Sequence, residues 1–313
     1  MKVISLNGSF KTYLKNTCAA IGIFDGVHRG HQYLIKKMLR AARRLKAQPI
    51  VITFYPHPAH VLKPEVNLGY LISFEERLRL LNCLGIDTCL VIRFDRSFAK
   101  IQPQKFIKDI LVKQWGVRAV FVGENFRFGK DRSGDIALFM KLAKEYGYEM
   151  HAVPSLKQGR EVISSTRVRQ LISAGKLNEG AKLLGRPVSV GGIVIKGSER
   201  GRTLGYPTAN LAYEAEILPP QGVYAVKVRL GTKLYPAIAN LGTRPSFDKQ
   251  ISKLLLEVHI LDFSKDIYGK RIEVEFIKKV RNEKKFKSPQ QLIRQIQKDE
   301  IFARKLFTKG QET

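Results

Sequence analysis

Two periodicities divide this chain. In the first half, short apolar runs alternate with helical patterns. The runs Cys18–Phe24, Ile50–Phe54, Cys89–Phe94 and Ala119–Val122 are predicted as strands. After the first of them Leu34, Ile35, Met38, Leu39, Ala42 and Leu45 recur at spacings of three and four, which draws one apolar face on a helix. Strands alternating with such helices predict a parallel sheet covered on both faces. Ligands of open sheets of that kind bind beyond the carboxyl ends of the strands.

The second half has a period of two. Tyr224, Val226, Val228 and Leu230 alternate with Ala225, Lys227 and Arg229, and Ile272, Val274 and Phe276 with Arg271, Glu273 and Glu275. That pattern predicts antiparallel strands with one buried face. Glycine and proline turns between them suggest a small barrel. A terminal helix follows, with Ser288 as N-cap, Pro289 as its first residue and Leu292, Ile293 and Ile296 as its buried stripe. The boundary is placed near Gly185-Arg186-Pro187, giving domains 1–186 and 187–313.

Composition changes this picture little. The 313 residues suit two domains, and 44% hydrophobic with 26% charged residues is ordinary for globular proteins. The formal net charge of +28 is not ordinary, and such a field attracts polyanions and phosphorylated molecules. It is spread along the chain. The one dense cluster is Lys278, Lys279, Arg281, Lys284, Lys285 and Lys287, opposed by Glu283 alone. Cys18, Cys83 and Cys89 have no metal-ligand spacing and suit a reducing compartment. Neither a signal-peptide pattern nor a run of about 20 apolar residues is present, so a cytoplasmic protein with no membrane partner is expected. Oligomeric state is not readable.

Three segments carry chemistry. Gly22-Ile23-Phe24-Asp25-Gly26-Val27-His28-Arg29-Gly30-His31 places two imidazoles three residues apart, where a strand gives way to a helix. Imidazole donors at a helix N-terminus can hold a triphosphate, and Gly26 and Gly30 let the backbone come close to it. HxGH alone is short enough to arise by chance, and two surface histidines on a turn would look the same. About 130 residues later, Ile163-Ser164-Ser165-Thr166-Arg167-Val168-Arg169 brings three hydroxyls and two guanidiniums to another helix start, a strong anion-binding set. The third segment runs from Gly197 to Asn210, with glycines at every fourth position and then Pro207-Thr208-Ala209-Asn210. Gly201 beside Arg200 and Arg202 could fold over a nucleotide. Thr208 and Asn210 offer neutral oxygens suited to Mg²⁺ bridged to phosphates. By composition alone this would be a surface hairpin.

GIFDGVHRGH, TFYPHP (Thr53–Pro58), GENFRFG (Gly123–Gly129) and ISSTRVR together resemble the N-terminal half of the bacterial bifunctional riboflavin kinase/FAD synthetase family. That half is a Rossmann-like HxGH nucleotidyltransferase. GRTLGYPTANL, GVYAVKV, NLGTRPSF, LEVHILDF and YGKRIEVEFI resemble the riboflavin kinase half. The resemblance implies that ATP and riboflavin give FMN in the barrel. FMN and a second ATP then give FAD and pyrophosphate in the sheet domain, with Mg²⁺ serving both steps. It implies that His28 and His31 contact the ATP phosphates, and that Asn125, Ser164, Thr166 and Arg169 help form the nucleotide site. Phe54, Pro56, His57 and Pro58 would lie near the flavin, as would Phe126 and Phe128, although aromatics at strand ends are more often core. Thr208 and Asn210 would hold Mg-ATP, and Glu257 would take the proton from the riboflavin 5′-hydroxyl. The strand pattern does not single out Glu257. Two positions depart from the family: Asn125 stands where Asp is common, and Ser246 where Thr is usual.

Two alternatives are weighed. An HxGH enzyme for another acceptor, such as phosphopantetheine or a choline-like phosphate, would lack the barrel motifs. A basic nucleic-acid-binding protein is suggested by charge, but the lysine cluster holds one aromatic, Phe286, and no stacking array. No specific nucleic-acid partner is expected.

Overall fold

The computed structural model describes residues 1–7, 12–66, 68–197, 205–243 and 254–309. The chain folds into two compact units, one of residues 1–69 and 74–165, the other of residues 70–73 and 166–313.

The main sheet of the first unit is built from β1 (Lys2–Leu6), β2 (Thr17–Ile21), β3 (Gln48–Tyr55), β4 (Thr88–Arg93), β5 (Val117–Gly123) and β6 (Glu149–Val153). They form one sheet in the order β1-β4-β3-β2-β5-β6, with all five pairings parallel. The four expected strands are present, each longer or shifted by a few residues. The edge strands β1 and β6 are additional.

Helix α1 (Arg29–Arg44) buries Leu34, Ile35, Met38, Ala41 and Ala42. It packs on β2 and β5. Fully burying each of the larger side chains contributes about 1.5–3 kcal/mol. Ala41 joins the expected stripe, whereas Leu39 is half-buried. The other apolar cluster joins Ile21, Ile52, Phe54 and Ile92 of the sheet to Phe106, Ile107, Trp115 and Phe139. These last come from the helical stretch Phe106–Gln114, from Trp115 just after it, and from α3 (Ile136–Tyr146). Helix α2 (Phe74–Cys83), between β3 and β4, buries only Arg77 and Leu81.

The strand order places β2 at the topological switch: the chain runs outward from β2 through β3 and β4 on one side and through β5 and β6 on the other. The loop after β2 therefore opens where such sheets bind ligands.

In the second unit, α4 (Ser165–Ser173; Ser165 itself falls in the first unit) and α5 (Leu177–Leu184) precede the barrel. Its strands are β7 (Val188–Ile195), β8 (Ala209–Tyr213), β9 (Gly222–Leu230), β10 (Lys233–Thr243), β11 (Leu254–Ile260) and β12 (Arg271–Arg281). Every neighbouring pair is antiparallel and the barrel closes. Closure leaves no edge strand. Tyr224, Val226, Val228, Ile272, Val274 and Phe276 are buried as the alternation predicts.

The outward side departs from simple alternation. Val223, Ala225 and Ile238 are buried too, because α6 (Pro289–Lys309) covers them with Ala303. Glu275 is buried, paired with Arg229 across β9 and β12. Ser288 caps α6 as expected, accepting from the Gln291 amide at 3.3 Å. The helix's anchor differs from the expected stripe: Leu292, Ile293 and Ile296 are only half-buried, and Ala303 and Asp299 are the enclosed positions. Asp299 accepts from Arg281 Nε at 2.9 Å and from Gln295 at 2.8 Å. Part of the basic cluster is thereby structural, with Lys278 over Phe302 and Lys279 over Tyr224.

Candidate active sites

The loop after β2 is a strained turn. Phe24, Gly26 and Val27 have φ of 57°, 75° and 40°. Only Gly26 adopts such a conformation freely, and for β-branched Val27 it is a genuine outlier. The surroundings hold it in place. Val27 N–H donates to the Phe24 carbonyl at 3.1 Å, and Gln32 Nε2 to the Val27 carbonyl at 2.9 Å. Thr53 Oγ1, near the end of β3, donates to the Ile23 carbonyl at 3.0 Å. Ser165 Oγ donates to the Asp25 carbonyl at 2.9 Å. Strain that is over-determined in this way concentrates at functional sites.

His28 ends the turn, is 5% exposed and is the N-cap of α1. Its Nδ1 accepts from the His31 backbone N–H at 3.3 Å, so the proton of the neutral ring sits on Nε2. The His28 and His31 rings stack with centroids 3.6 Å apart and planes 16° apart, and Phe24 meets His31 edge-on at 5.3 Å. Desolvation first, then His28 and then Arg77, hold the His31 pKa well below the ordinary histidine value. Withdrawal from water, more than the neighbouring ring or the cation, is what keeps the His31 imidazole from becoming imidazolium. Gly30 has a packing reason as well: a Cβ there would lie 3.2 Å from the His28 ring and 3.4 Å from the Ile163 carbonyl.

The other residues named for this site are placed as follows. Asn125 lies on the exposed turn after β5, the strand beside β2, and is tied down by the Phe126 N–H bond to the Gly123 carbonyl. Ser164 precedes α4, while Thr166 and Arg169 lie within it in the second unit. Pro56 follows a cis peptide with Tyr55. His57 caps the short helix Pro58–Leu62 through the Ala59 amide at 3.0 Å, so it has a local structural partner. Phe54 and Phe128 are in the core, and Phe126 packs on it, stacked on Phe128 at 5.7 Å. Sequence reasoning missed Thr53 and Ser165 as the residues that brace the turn, although both lie inside segments it quoted. It also missed Arg77, which is wholly buried. Its signal was a charge in the Phe74, Arg77, Leu78, Leu81 stripe of an amphipathic helix.

The second site is built by register. Glu257 of β11 pairs with Asn210 of β8 on one side and with Asn240 of β10 on the other. Directly opposed residues share a face, so the carboxylate stands between two amides. The next row, Leu211, Leu256 and Leu241, is fully buried in the barrel, which puts Asn210, Glu257 and Asn240 on the opposite side. Asn210 is 6% exposed. Gly197 is pressed against it: a Cβ there would run into the Asn210 side-chain amide. Two residues beyond Glu257, His259 bonds the Pro207 carbonyl at 2.8 Å and meets Tyr206 edge-on.

Thr208 opens into a cavity of about 370 Å³ walled by Val194, Phe263, Ile267 and Tyr268, with Lys265 and Asp266 as its charged groups. That volume is within the range of small-molecule clefts, about 300–1,000 Å³. Asn240, His259 and this cavity were not singled out from sequence. Gly201, Arg202 and Ser246 lie outside the described residues. Among the described residues no group of three or more His, Cys, Asp or Glu is placed to hold a metal. Thr208 and Asn210 fit the other kind of site, in which Mg²⁺ takes one or two protein oxygens and shares the phosphates.

Comparison with known proteins agrees with this division. A family model described as FAD synthetase matches residues 10–167, and one described as riboflavin kinase matches residues 184–307. The bifunctional riboflavin kinase/FMN adenylyltransferase of Escherichia coli (strain K12) is 42% identical over 92% of this chain and 91% of its own length. The protein of that name from Listeria monocytogenes is 38% identical over 94% and 93%. A solved structure described as a macrolide-efflux protein from Streptococcus pneumoniae is 32% identical with a TM-score of 0.86, covering 96% of this chain and 98% of that one. Among the described residues no helix is long and apolar enough to cross a membrane. With both family models in this order and relatives matched over nearly their whole length, the chain belongs to the bifunctional riboflavin kinase/FMN adenylyltransferase family.

Proposed function

We propose that the chain's two activities, riboflavin kinase and FMN adenylyltransferase, are carried by the Glu257 row and by the His28–His31 turn respectively. The observation that carries this reading is the contrast in what each site offers a nucleophile. Riboflavin attacks with a hydroxyl, which needs a base. Glu257 stands between Asn210 and Asn240, and its carboxylate takes the 5′-hydroxyl proton as that oxygen attacks the γ-phosphorus and ADP leaves. FMN attacks with a phosphate oxygen, which is already a nucleophile. Here the protein has only to align FMN with the α-phosphate and stabilise the departing pyrophosphate. A helix N-terminus with two imidazoles suits that task.

Thr208 and Asn210 hold the kinase nucleotide, whose base takes the cavity beside Thr208, and Gly201 and Arg202, earlier in the same sequence segment, contribute to binding it. Mg²⁺ at Thr208 and Asn210 neutralises charge on the phosphates when bound. At the adenylyl-transfer site Asn125, Ser164, Thr166 and Arg169 complete the nucleotide contacts. The Pro56-His57-Pro58 and Phe126 segments border the flavin, with Phe54 and Phe128 supporting them from the core. The functional boundary is kept at 186/187, just after the Gly185 C-cap of α5 and close to where the riboflavin kinase match begins. A cytoplasmic location with small-molecule partners only fits these roles.

The reading is tested by incubating the protein with riboflavin, ATP and Mg²⁺ and resolving the flavins by chromatography. FMN then FAD should accumulate, each at the expense of ATP, and EDTA should stop both. A protein that makes neither flavin would end this reading.

A further inference from the structure

One wall of the cavity beside Thr208 lies outside the barrel strands. It is the segment Phe263–Tyr268, which carries the chain from β11 to β12. Two residues lead into it, and both meet α6. Leu261 donates its N–H to the Pro236 carbonyl at 2.9 Å and is buried in the cluster that Ala303 covers. Asp262 then turns the chain out of the ladder with a φ of 54°. Asp tolerates the left-handed region better than most side chains, but only Gly adopts it freely. The Asp262 carboxylate accepts two bonds from Arg304 of α6, Nη1 to Oδ2 at 2.7 Å and Nη2 to Oδ1 at 2.8 Å. Glu300, one turn earlier on α6, accepts from Nε at 2.9 Å and from Nη2 at 2.8 Å, and so fixes the guanidinium. The next residue, Phe263, lines the cavity and meets Tyr235 of β10 edge-on at 5.1 Å. At its far end the segment is tied to itself and to the barrel. Tyr268 N–H donates to Asp266 Oδ1 at 2.9 Å, and Gly269 N–H to the Val194 carbonyl at 2.9 Å.

We propose that Arg304 is a positioning residue for the kinase nucleotide: its fork on Asp262 fixes the left-handed turn at which the chain leaves β11, and with it the seating of Phe263 and the cavity wall. The terminal helix thereby sets the affinity of the barrel for ATP without contributing a contact to it. The inference rests on the reading that this cavity takes the nucleotide base. An isolated ion pair with the Asp262 side chain 71% exposed would contribute little. This one has the bidentate geometry and the third charge that make such pairs effective. All three guanidinium nitrogens are engaged with Asp262 and Glu300, so Arg304 acts through Asp262. The geometry also specifies arginine. A lysine ammonium keeps the charge but lacks the planar fork that holds two carboxylates in fixed directions.

The test measures kcat and KM for ATP in FMN formation from riboflavin. The proteins are the wild type, Arg304→Met, Arg304→Lys, Asp262→Gly and the Arg304→Met/Asp262→Gly double variant. Arg304→Met should raise KM for ATP about fivefold, the upper end for an exposed pair, and leave kcat within about twofold of the wild type. That split is what loss of nucleotide binding without loss of the chemical step produces. Arg304→Lys should behave like Arg304→Met. In the Asp262→Gly background Arg304→Met should change nothing, because the partner through which Arg304 acts is gone and glycine holds the turn unaided. An unchanged KM in Arg304→Met overturns the inference, as does a fall in kcat that matches or exceeds the rise in KM. So does a Lys variant that matches the wild type, or an equal rise in KM in the Asp262→Gly background. Should Arg304→Met not fold, Arg304→Lys, which keeps the charge and the alkyl stem, decides by the same measurement. Phe263→Ala separates the failures. If it leaves KM for ATP unchanged, the cavity does not take the nucleotide, and the inference falls with that reading. If it raises KM while Arg304→Met does not, only the role of Arg304 falls.

Discussion

The His28 turn and the Glu257 row handle the same kinds of ligand, yet they are built at different ranges. The turn is local. Ten consecutive residues supply a strained loop, a helix cap and two stacked rings, and distant residues only brace it. The Glu257 row takes one residue from each of three strands, at positions 210, 240 and 257, and exists only through their register. A site of the first kind is held by backbone geometry and tolerates changes elsewhere. One of the second kind depends on barrel closure, since a one-residue slip would turn Glu257 to the interior.

The largest expected effect tests the base that distinguishes the two chemistries. Glu257→Gln should lower FMN formation by about 10³-fold or more while FAD formation from supplied FMN persists, as measured by flavin chromatography. His28→Ala should do the reverse, lowering FAD formation about 10²–10³-fold with riboflavin phosphorylation retained. The next test addresses dependence on the barrel. Asp299→Ala removes the acceptor of Arg281, which lies in a mostly buried pair with side-chain exposures of 15% and 4%. Leaving Arg281 uncompensated should cost about 3–5 kcal/mol. On heating, kinase activity should then fail before adenylyl transfer, which a thermal-inactivation series of both activities would reveal. The smallest effect is expected from Gly197→Ala, where the added methyl displaces the Asn210 amide. KM for ATP in the kinase step should rise about tenfold, roughly the worth of one charge-assisted hydrogen bond. The adenylyl step should not change.

The same difference in range governs how much the sequence revealed. The parallel sheet, the barrel, the Ser288 cap and the His28–His31 turn are written in short windows: apolar runs, alternation, a capping residue, a glycine between imidazoles. Glu257 had no local signal and came only from family resemblance, because its neighbours Asn210 and Asn240 are defined by pairing. Glu275 and Arg77 broke the rule that charges lie outside, one by pairing with Arg229 and the other enclosed over the Phe74 ring. The α6 stripe was misplaced because the helix is held by Ala303 and by the Asp299–Arg281 pair more than by its large apolar residues. The cavity beside Thr208 is assembled from the β7, β8 and β11 strands and the Phe263–Tyr268 segment, a convergence that no single window contains.

Complementation in a mixture tests the central claim most directly. Glu257→Gln and His28→Ala proteins, alone and mixed, are given riboflavin, ATP and Mg²⁺, and FAD is measured. Neither should form FAD alone, and the mixture should, because FMN made by the His28→Ala protein is adenylylated by the Glu257→Gln protein. FAD formation by either variant alone, or loss of both half-reactions in one folded variant, would contradict the assignment of two separate sites.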